Sequence, residues 1–368
     1  MTALDAVLSV CVAWLLYAYV GYPVLVAALA QVWRRPVCAA DITPAVSLII
    51  VARNEEAALP AKLENALGLD YPVGRLEVIV ASDGSTDRTE AIAASFAARG
   101  VRLVHARAHI GKTETTNRAA EVARGEILVF SDATGNFARD ALRALVRPLA
   151  DPRVGVVSGR VAYRYADAPL ARGFRLYQRW VVAARRAESV FGTETSVSGS
   201  ICAVRRTMFR RLPPGLDFDL AHPLHAACAG LRTIYAADAE LRARARMGAL
   251  AYRFLPYAVR HLPRIRCPIY VLQLLSHKVA RWLAPVPLAG LAIATLVLAP
   301  GSCIATLAVL AQAGVYVSPI LVARLPPAAA LARWLGPAAF FATANAGLLL
   351  GLWRLVHGQE TARWEPER

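Results

Sequence analysis

Charge vanishes from this chain over three long stretches, and nothing else in it restricts the possible folds so severely. Ala6 to Trp33, Trp282 to Ala323 and Trp334 to Trp353 contain no Asp, Glu, Lys or Arg. As a helix the first would run about 42 Å, more than the ~30 Å hydrocarbon core of a bilayer. Pro23 is expected to kink it. The basic pair Arg34-Arg35 follows this stretch instead of preceding it, unlike a cleaved leader. By the cytoplasmic bias of Lys and Arg, the N-terminus is then expected outside and the following residues in the cytoplasm of a bacterial-type inner or plasma membrane. The second stretch divides at Pro300-Gly301-Ser302 into two spans, and Arg324 and Arg333 mark a cytoplasmic loop before the third. Residues 1–35 thus read as a transmembrane anchor, 282–356 as about three further spans, and 357–368 as a tail that three crossings put outside. Residues 267–281 are apolar apart from Arg281, His277 and Lys278. They read as an interfacial helix, with a fourth buried span as the alternative.

The chain is 57% apolar and carries a formal net charge of +16. Such an excess points to anionic partners: nucleic acid, lipid headgroups or phosphorylated substrates. No stripe of aromatic residues interleaves the basic ones and no nucleic-acid-binding motif occurs, so nucleic acid is not an expected partner. The six cysteines (Cys11, Cys38, Cys202, Cys228, Cys267 and Cys303) are scattered without a Cys-x-x-Cys pair, which is neither a zinc site nor a disulfide framework.

Between the apolar stretches, residues 39–266 read as a soluble domain. Val46–Ala52, Leu76–Ala81, Val101–His105 and Glu126–Phe130 are short apolar runs of the kind buried in parallel sheets. Helical segments such as Thr86–Ala98 and Thr113–Ala123 lie between them. The alternation predicts a doubly wound α/β sheet, in which ligands bind beyond the carboxyl ends of the strands. Polar residues gather at those ends: Arg53-Asn54-Glu55 after the first run, Ser82-Asp83-Gly84-Ser85-Thr86-Asp87 after the second, Ser131-Asp132-Ala133-Thr134 after the fourth. Loop carboxylates so placed can bind a base, a ribose and a divalent cation that neutralises phosphate. Taken singly, each has a plainer reading: Asp83 to Asp87 as a turn and helix cap, Asp132 as a cap of the next helix. A loose Walker pattern, Ala106 followed by Gly111-Lys112-Thr113, lacks glycine within its loop and follows two strands instead of opening the domain. It therefore argues poorly for a phosphate cradle. No Gly-x-Gly-x-x-Gly follows the first strand.

The ordered series Val46 to Glu56, Val80 to Asp87, Gly111-Lys112 and Gly125 to Ala133 resembles the family 2 glycosyltransferases, whose catalytic domain has the GT-A fold and whose membrane-anchored members include cellulose, chitin and hyaluronan synthases. The resemblance covers roughly Val46 to Trp282. It implies that Ala52, Arg53, Glu55 and Asp83 line a nucleoside pocket and that Lys112 approaches the diphosphate of a nucleotide-sugar donor. It also implies that Asp132 opens a DxD motif holding Mg²⁺ or Mn²⁺. Thr134 stands at the motif's third position, where a hydroxyl is a poorer ligand for a hard cation than a carboxylate. Gly192 to Arg206, with Ser198 and Gly199, resembles the floor of the acceptor site. Leu212 to Asp219 resembles the region of the catalytic carboxylate pair, so Asp219 aligns with the general base. Phe218 replaces the carboxylate before it and Asp217 lies one further back; helix capping is the plainer reading of both aspartates. The family's Gln-x-x-Arg-Trp is not intact. Arg242, Arg244 and Arg246 occupy its neighbourhood, either against the diphosphate or against anionic lipid.

The resemblance implies inverting transfer of a sugar, with UDP-sugar as the expected donor, to a glycan or lipid-linked acceptor in contact with membrane lipids. Two other readings stay open: a polyprenyl-phosphate sugar transferase, and a membrane protein that binds nucleotide-sugar without turnover.

Overall fold

The computed structural model describes residues 3–164, 169–244, 254–326 and 329–357. Its centre is one eight-stranded sheet. The strands are β1 (Val46–Ala52), β2 (Leu76–Ser82), β3 (Val101–His105), β4 (Ile127–Asp132), β5 (Asn136–Phe137), β6 (Val154–Arg164), β7 (Cys202–Arg205) and β8 (Arg232–Arg244), in spatial order β3-β2-β1-β4-β7-β6-β8-β5. β1 to β4 are mutually parallel, and β7 then runs antiparallel to both β4 and β6. β1 is buried along its whole length, as expected of a strand covered on both faces. Leu48, Ile50, Val80 and Val129 point into one apolar layer, and Ile49, Ile79, Leu128 and Phe130 into the other.

Register fixes where the chemistry falls. Ala52 pairs with Ser82 and Val51 with Asp132, so β1, β2 and β4 end at one level, and their polar terminal residues emerge side by side. This parallel half follows the sequence expectation closely. The mixed half, β5 to β8, was not read from the sequence. β6 and β8 are longer, at 11 and 13 residues, and pair in parallel with a register shift after Gly159.

Among the described residues three helices are long and apolar enough to cross a membrane: Ala3–Val32 (30 residues), Cys303–Arg324 (22 residues) and Ala330–Val356 (27 residues). Pro268–Trp282 and Pro285–Gly301 meet at 50°, as a broken span or a re-entrant loop. The segment expected to be an interfacial helix is therefore one arm of a bent pair, and the first expected C-terminal span is the other arm. Pro285–Leu298 has 14 residues, fewer than the roughly 20 that cross a bilayer.

Around Pro23 the helix runs on without a break and carries a π turn just before the proline. Tyr17–Gly21 is a π turn, and the N–H of Tyr22 reaches back to the Tyr17 carbonyl. Pro23 has no N–H to offer the Tyr19 carbonyl four residues earlier. That carbonyl instead accepts the Trp180 indole N–H at 2.9 Å. Trp180 lies on the helix Pro169–Phe191, which packs along the first and last apolar helices.

Candidate active site

The first two strand ends are zipped together. Asn54 leaves β1 with φ +51, a left-handed conformation that Asn tolerates. Its side-chain oxygen accepts the Thr86 N–H at 2.8 Å, and its own N–H donates to Ser85 Oγ at 3.2 Å. The N–H of Glu55 donates to Thr89 Oγ1, and that of Glu56 to Asp87 Oδ2. Asp87 also accepts the N–H and hydroxyl of Thr89. Burial pushes the Asp87 carboxyl up, but these hydrogen bonds outweigh it and hold the pKa below the usual range. Asp87 thus organises the turn and the helix start.

Asp83 is fully buried. Its Oδ1 accepts the backbone N–H of Ile110 (2.8 Å) and Gly111 (3.1 Å), and its Oδ2 lies 2.8 Å from His109 Nδ1. The loop that resembles a phosphate cradle therefore wraps a carboxylate of its own chain. Gly84, at φ +60, runs so close beneath this loop that a Cβ would lie 2.5 Å from the Ala108 carbonyl carbon. Ala52 sits fully buried in the floor, and Arg53 and Glu55 are half-buried at the rim.

At the end of β4 the groups converge. Lys112, first residue of the helix Lys112–Val122, places Nζ 2.7 Å from Asp132 Oδ1. Ser200 Oγ donates to Asp132 Oδ2 at 2.5 Å. Burial opposes charge on both partners. Lys112 and the Ser200 hydroxyl nonetheless hold Asp132 below the usual carboxylate range, while Asp132, Asp219 and Asp217 hold Lys112 above the usual ammonium range. Both therefore stay charged near neutral pH. Thr134 stands half-buried two residues beyond Asp132. From below, the fully buried Lys62 donates to Ser131 Oγ at 2.7 Å and to the Gly135 carbonyl, with its Nζ 4.3 Å from the Phe137 ring centroid. Burial pulls its pKa down to about 7.

Asp219 approaches from the other side, in the first turn of the helix Phe218–Cys228. Its N–H is capped by Asp217 Oδ1 at 2.9 Å. Any Cβ at Gly199 would overlap Asp219 Oδ1, so only glycine lets the 198–200 loop pass this carboxylate. Ser198 N–H donates to Ser158 Oγ at 3.1 Å, tying that loop to β6. Burial, and after it the negative charge of Asp217, pushes the Asp219 carboxyl well above its usual range. Phe218, at the position where a carboxylate was expected, faces the core. Its ring stacks on Phe130 at 5.9 Å and on Phe209 at 6.3 Å.

The arginine cluster is only partly described. Arg242 is exposed, pairs by backbone with Asn136 just past the Asp132 turn, and binds Glu240 at 3.1 Å. Arg244 pairs by backbone with Arg164. Arg246 lies outside the described residues. Sequence reasoning missed Ser200, His109 and Lys62. Ser200 lay inside a segment already singled out, whereas nothing in the sequence around Lys62 marks it.

No group of three or more His, Cys, Asp or Glu side chains that could hold a metal occurs among the described residues. The oxygens on offer are the Asp132 carboxylate, the Ser200 hydroxyl bonded to it and, two residues beyond Asp132, the hydroxyl of Thr134. This suits a hard divalent cation that completes its shell with substrate phosphates and water.

Residues 47–212 match the family model described as Glycosyl transferase family 2. A beta-monoglucosyldiacylglycerol synthase of Nostoc sp. is 35% identical over 123 residues, which make up 32% of this chain and 26% of that protein. The chain thus spans about a quarter of the length of that relative. An N-acetylglucosaminyltransferase of Rhizobium leguminosarum bv. trifolii is 30% identical over 135 residues, covering 35% of this chain and 74% of the relative. Among solved structures, the mannosyltransferase PcManGT from Pyrobaculum calidifontis, in complex with GDP-Man and Mn²⁺, superposes with a TM-score of 0.68 at 24% identity, over 96% of this chain and 100% of that one. That likeness shows the GT-A fold.

Proposed function

This chain belongs to glycosyl transferase family 2, and from that premise we propose that it moves a sugar from a nucleoside diphosphate to a lipid-linked or glycan acceptor at a membrane, with inversion. The observation that carries the reading is the meeting of Lys112, Asp132, Ser200 and Asp219, from four separate segments, at the carboxyl end of the central strand β4. Cation and carboxylate suited to a diphosphate stand on one side of this point, and a carboxylate suited to take a proton on the other.

In this mechanism the nucleoside lies over Ala52, Arg53 and Glu55. Asp83 acts indirectly, by fixing the 109–111 segment as a wall. Ser198 and Gly199 form the acceptor side. The acceptor oxygen attacks the anomeric carbon as the bond from that carbon to the diphosphate oxygen breaks. Asp219 accepts the hydroxyl proton. Its raised pKa makes it a stronger base than an exposed aspartate once it is ionised. Lys112 stays protonated and faces the departing diphosphate, where charge develops and electrostatic stabilisation counts most. Arg244 and Arg246 are further candidates for that charge. Asp132 and Thr134 would hold Mg²⁺ or Mn²⁺, which when bound offsets negative charge on the leaving group. Lys112, now paired with Asp132, would share that carboxylate with the ion.

The glucosyldiacylglycerol synthase relatives favour a lipid acceptor. Relatives and fold neighbours differ in the sugars that they are named for, so both UDP- and GDP-sugars belong in the test. The three apolar helices and Arg34-Arg35 support an integral membrane protein with this domain on the cytoplasmic face.

The deciding measurement is nucleoside diphosphate release by detergent-purified protein, from a panel of UDP- and GDP-sugars with Mg²⁺ or Mn²⁺, with and without lipid extract. Metal- and lipid-dependent release from one donor is expected. Donor binding by calorimetry with no release from any of them would sink the catalytic reading.

A further inference from the structure

The helix Leu59–Leu67 packs on the sheet through Leu59, Leu63 and Ala66, and a lysine is buried among them. Lys62 is as inaccessible as its apolar neighbours. Burying an ammonium is costly, and an apolar side chain of similar length would fill the space without that cost. The ammonium meets no carboxylate among the described residues. It donates to Ser131 Oγ and to the Gly135 carbonyl, and it stands over the Phe137 ring. Burial disfavours its charged form, and the Asp132 carboxylate, beyond contact distance, favours it.

What the ammonium does is close a turn. Ser131 and Gly135 flank Asp132-Ala133-Thr134, so its two hydrogen bonds tie together the ends of the segment that carries Asp132 and Thr134. Asn65, three positions on and on the same face of the helix, donates to the Phe137 carbonyl at 2.9 Å and accepts the Phe137 N–H at 2.8 Å. On the β8 side Gly135 packs so tightly that a Cβ would lie 2.8 Å from Leu241 Cδ2. The turn is thus gripped by the helix and backed by β8. Its two oxygen-bearing side chains are held differently. Lys112 and Ser200 orient the Asp132 carboxylate. The half-buried Thr134 has no side-chain hydrogen bond among the described residues, so its place depends on the backbone of the turn.

We propose that Lys62 is a positioning residue of the site: by tying Ser131 to Gly135 it fixes Thr134 relative to Asp132, and so sets how well the two take a divalent cation together with the donor's diphosphate. This rests on the function proposed above. Lys62 itself, enclosed beneath the turn, acts only through the residues it holds. Metal–oxygen distances have to be met to within about 0.2 Å. Losing a residue that orients a metal ligand typically costs about 10–100-fold in metal affinity.

The test titrates UDP and GDP by calorimetry into the detergent-purified full chain, once with Mn²⁺ and once with EDTA. The ratio of the two affinities is the gain that the metal brings. In Lys62→Met, which keeps the length of the side chain and removes its donors, that gain should shrink by about 10–100-fold. The affinity in EDTA, which reports the nucleoside pocket, should stay as in the wild type. Ser131→Ala cuts one end of the tie at the cost of a single oxygen and should shift the gain in the same direction by a smaller factor. It decides the matter if Lys62→Met does not fold. An unchanged gain in a folded variant would overturn the proposal. So would affinities that fall alike with Mn²⁺ and with EDTA, the result that a merely structural lysine gives. A wild type that binds nucleotide with no gain from Mn²⁺ also overturns it and leaves donor binding standing. A wild type that binds neither nucleotide removes the proposed function, and the role of Lys62 with it.

Discussion

The two halves of the catalytic domain handle charge in opposite ways. Around β1 and β2 the carboxylates are paired with backbone amides and hydroxyls: Asp87 with Thr89 two residues on and with Glu56 31 positions back, Asp83 with Ile110 and Gly111, 27 and 28 positions on. Behind β6 and β8 the charges are paired with each other in the interior. Arg185 Nε donates to Glu194 Oε1 at 2.6 Å with the carboxylate fully buried, and Arg185 also reaches Ser158 Oγ at 2.6 Å. Burial there lifts the Glu194 carboxyl to about 7 in spite of Arg185. Many short hydrogen bonds to fixed backbone make a rigid wall at low electrostatic cost. Buried ion pairs hold distant segments in one arrangement, but each becomes a liability once a partner is lost.

That contrast can be broken at several points. The largest effect is expected where the halves meet. Asp219→Asn should leave donor binding intact and cut turnover by about 10²–10⁴-fold, read as nucleoside diphosphate release. Undiminished turnover would mean that the base lies elsewhere. Next, Arg185→Met strands Glu194 and should destabilise the domain by about 3–5 kcal/mol, whereas Asn54→Ala, in the hydrogen-bonded half, should cost about 1–2 kcal/mol. Denaturant unfolding of both variants compares the halves directly, and equal losses would erase the distinction. The finest probe is pH. Asp219 works as a base only when ionised, and its pKa is raised, so kcat/KM should fall with decreasing pH at a higher pH than an ordinary carboxylate gives. Asp217→Asn removes the negative neighbour and should move that acid limb downward. A limb that did not move would assign it to another group.

The same contrast explains what could be read in the sequence. The parallel strands and the residues beyond them were legible because each role is local: an apolar run, then a turn, then a carboxylate. Asp83, Lys112 and Asp132 all fall within the second to fourth repeats of that pattern. The contacts that were missed depend on distance. Ser200 meets Asp132 across 68 positions, Lys62 meets Ser131 across 69, and Tyr22 meets Glu188 across 166. No short-range pattern encodes such pairs. The bent pair at 285 escaped for a related reason, since the absence of charge marks a segment as apolar without saying whether it is straight. Phe218 shows the converse. A departure from a family pattern read as a missing carboxylate is, in the fold, one ring of an aromatic cluster with Phe130 and Phe209.

The carbonyl of Tyr19, left without a helical partner by Pro23, has a mechanical consequence. Bonded to the Trp180 indole, it works as a rivet between the first apolar helix and the domain. The connection that follows is clamped too, by Arg35 to Val190, Cys38 to Asp151 and Ala40 to Arg147. The domain is therefore mounted and not tethered. Its distance from the first apolar helix is set by these side attachments, and the contour length of residues 33–45 has little say in how far the active site can move from that helix.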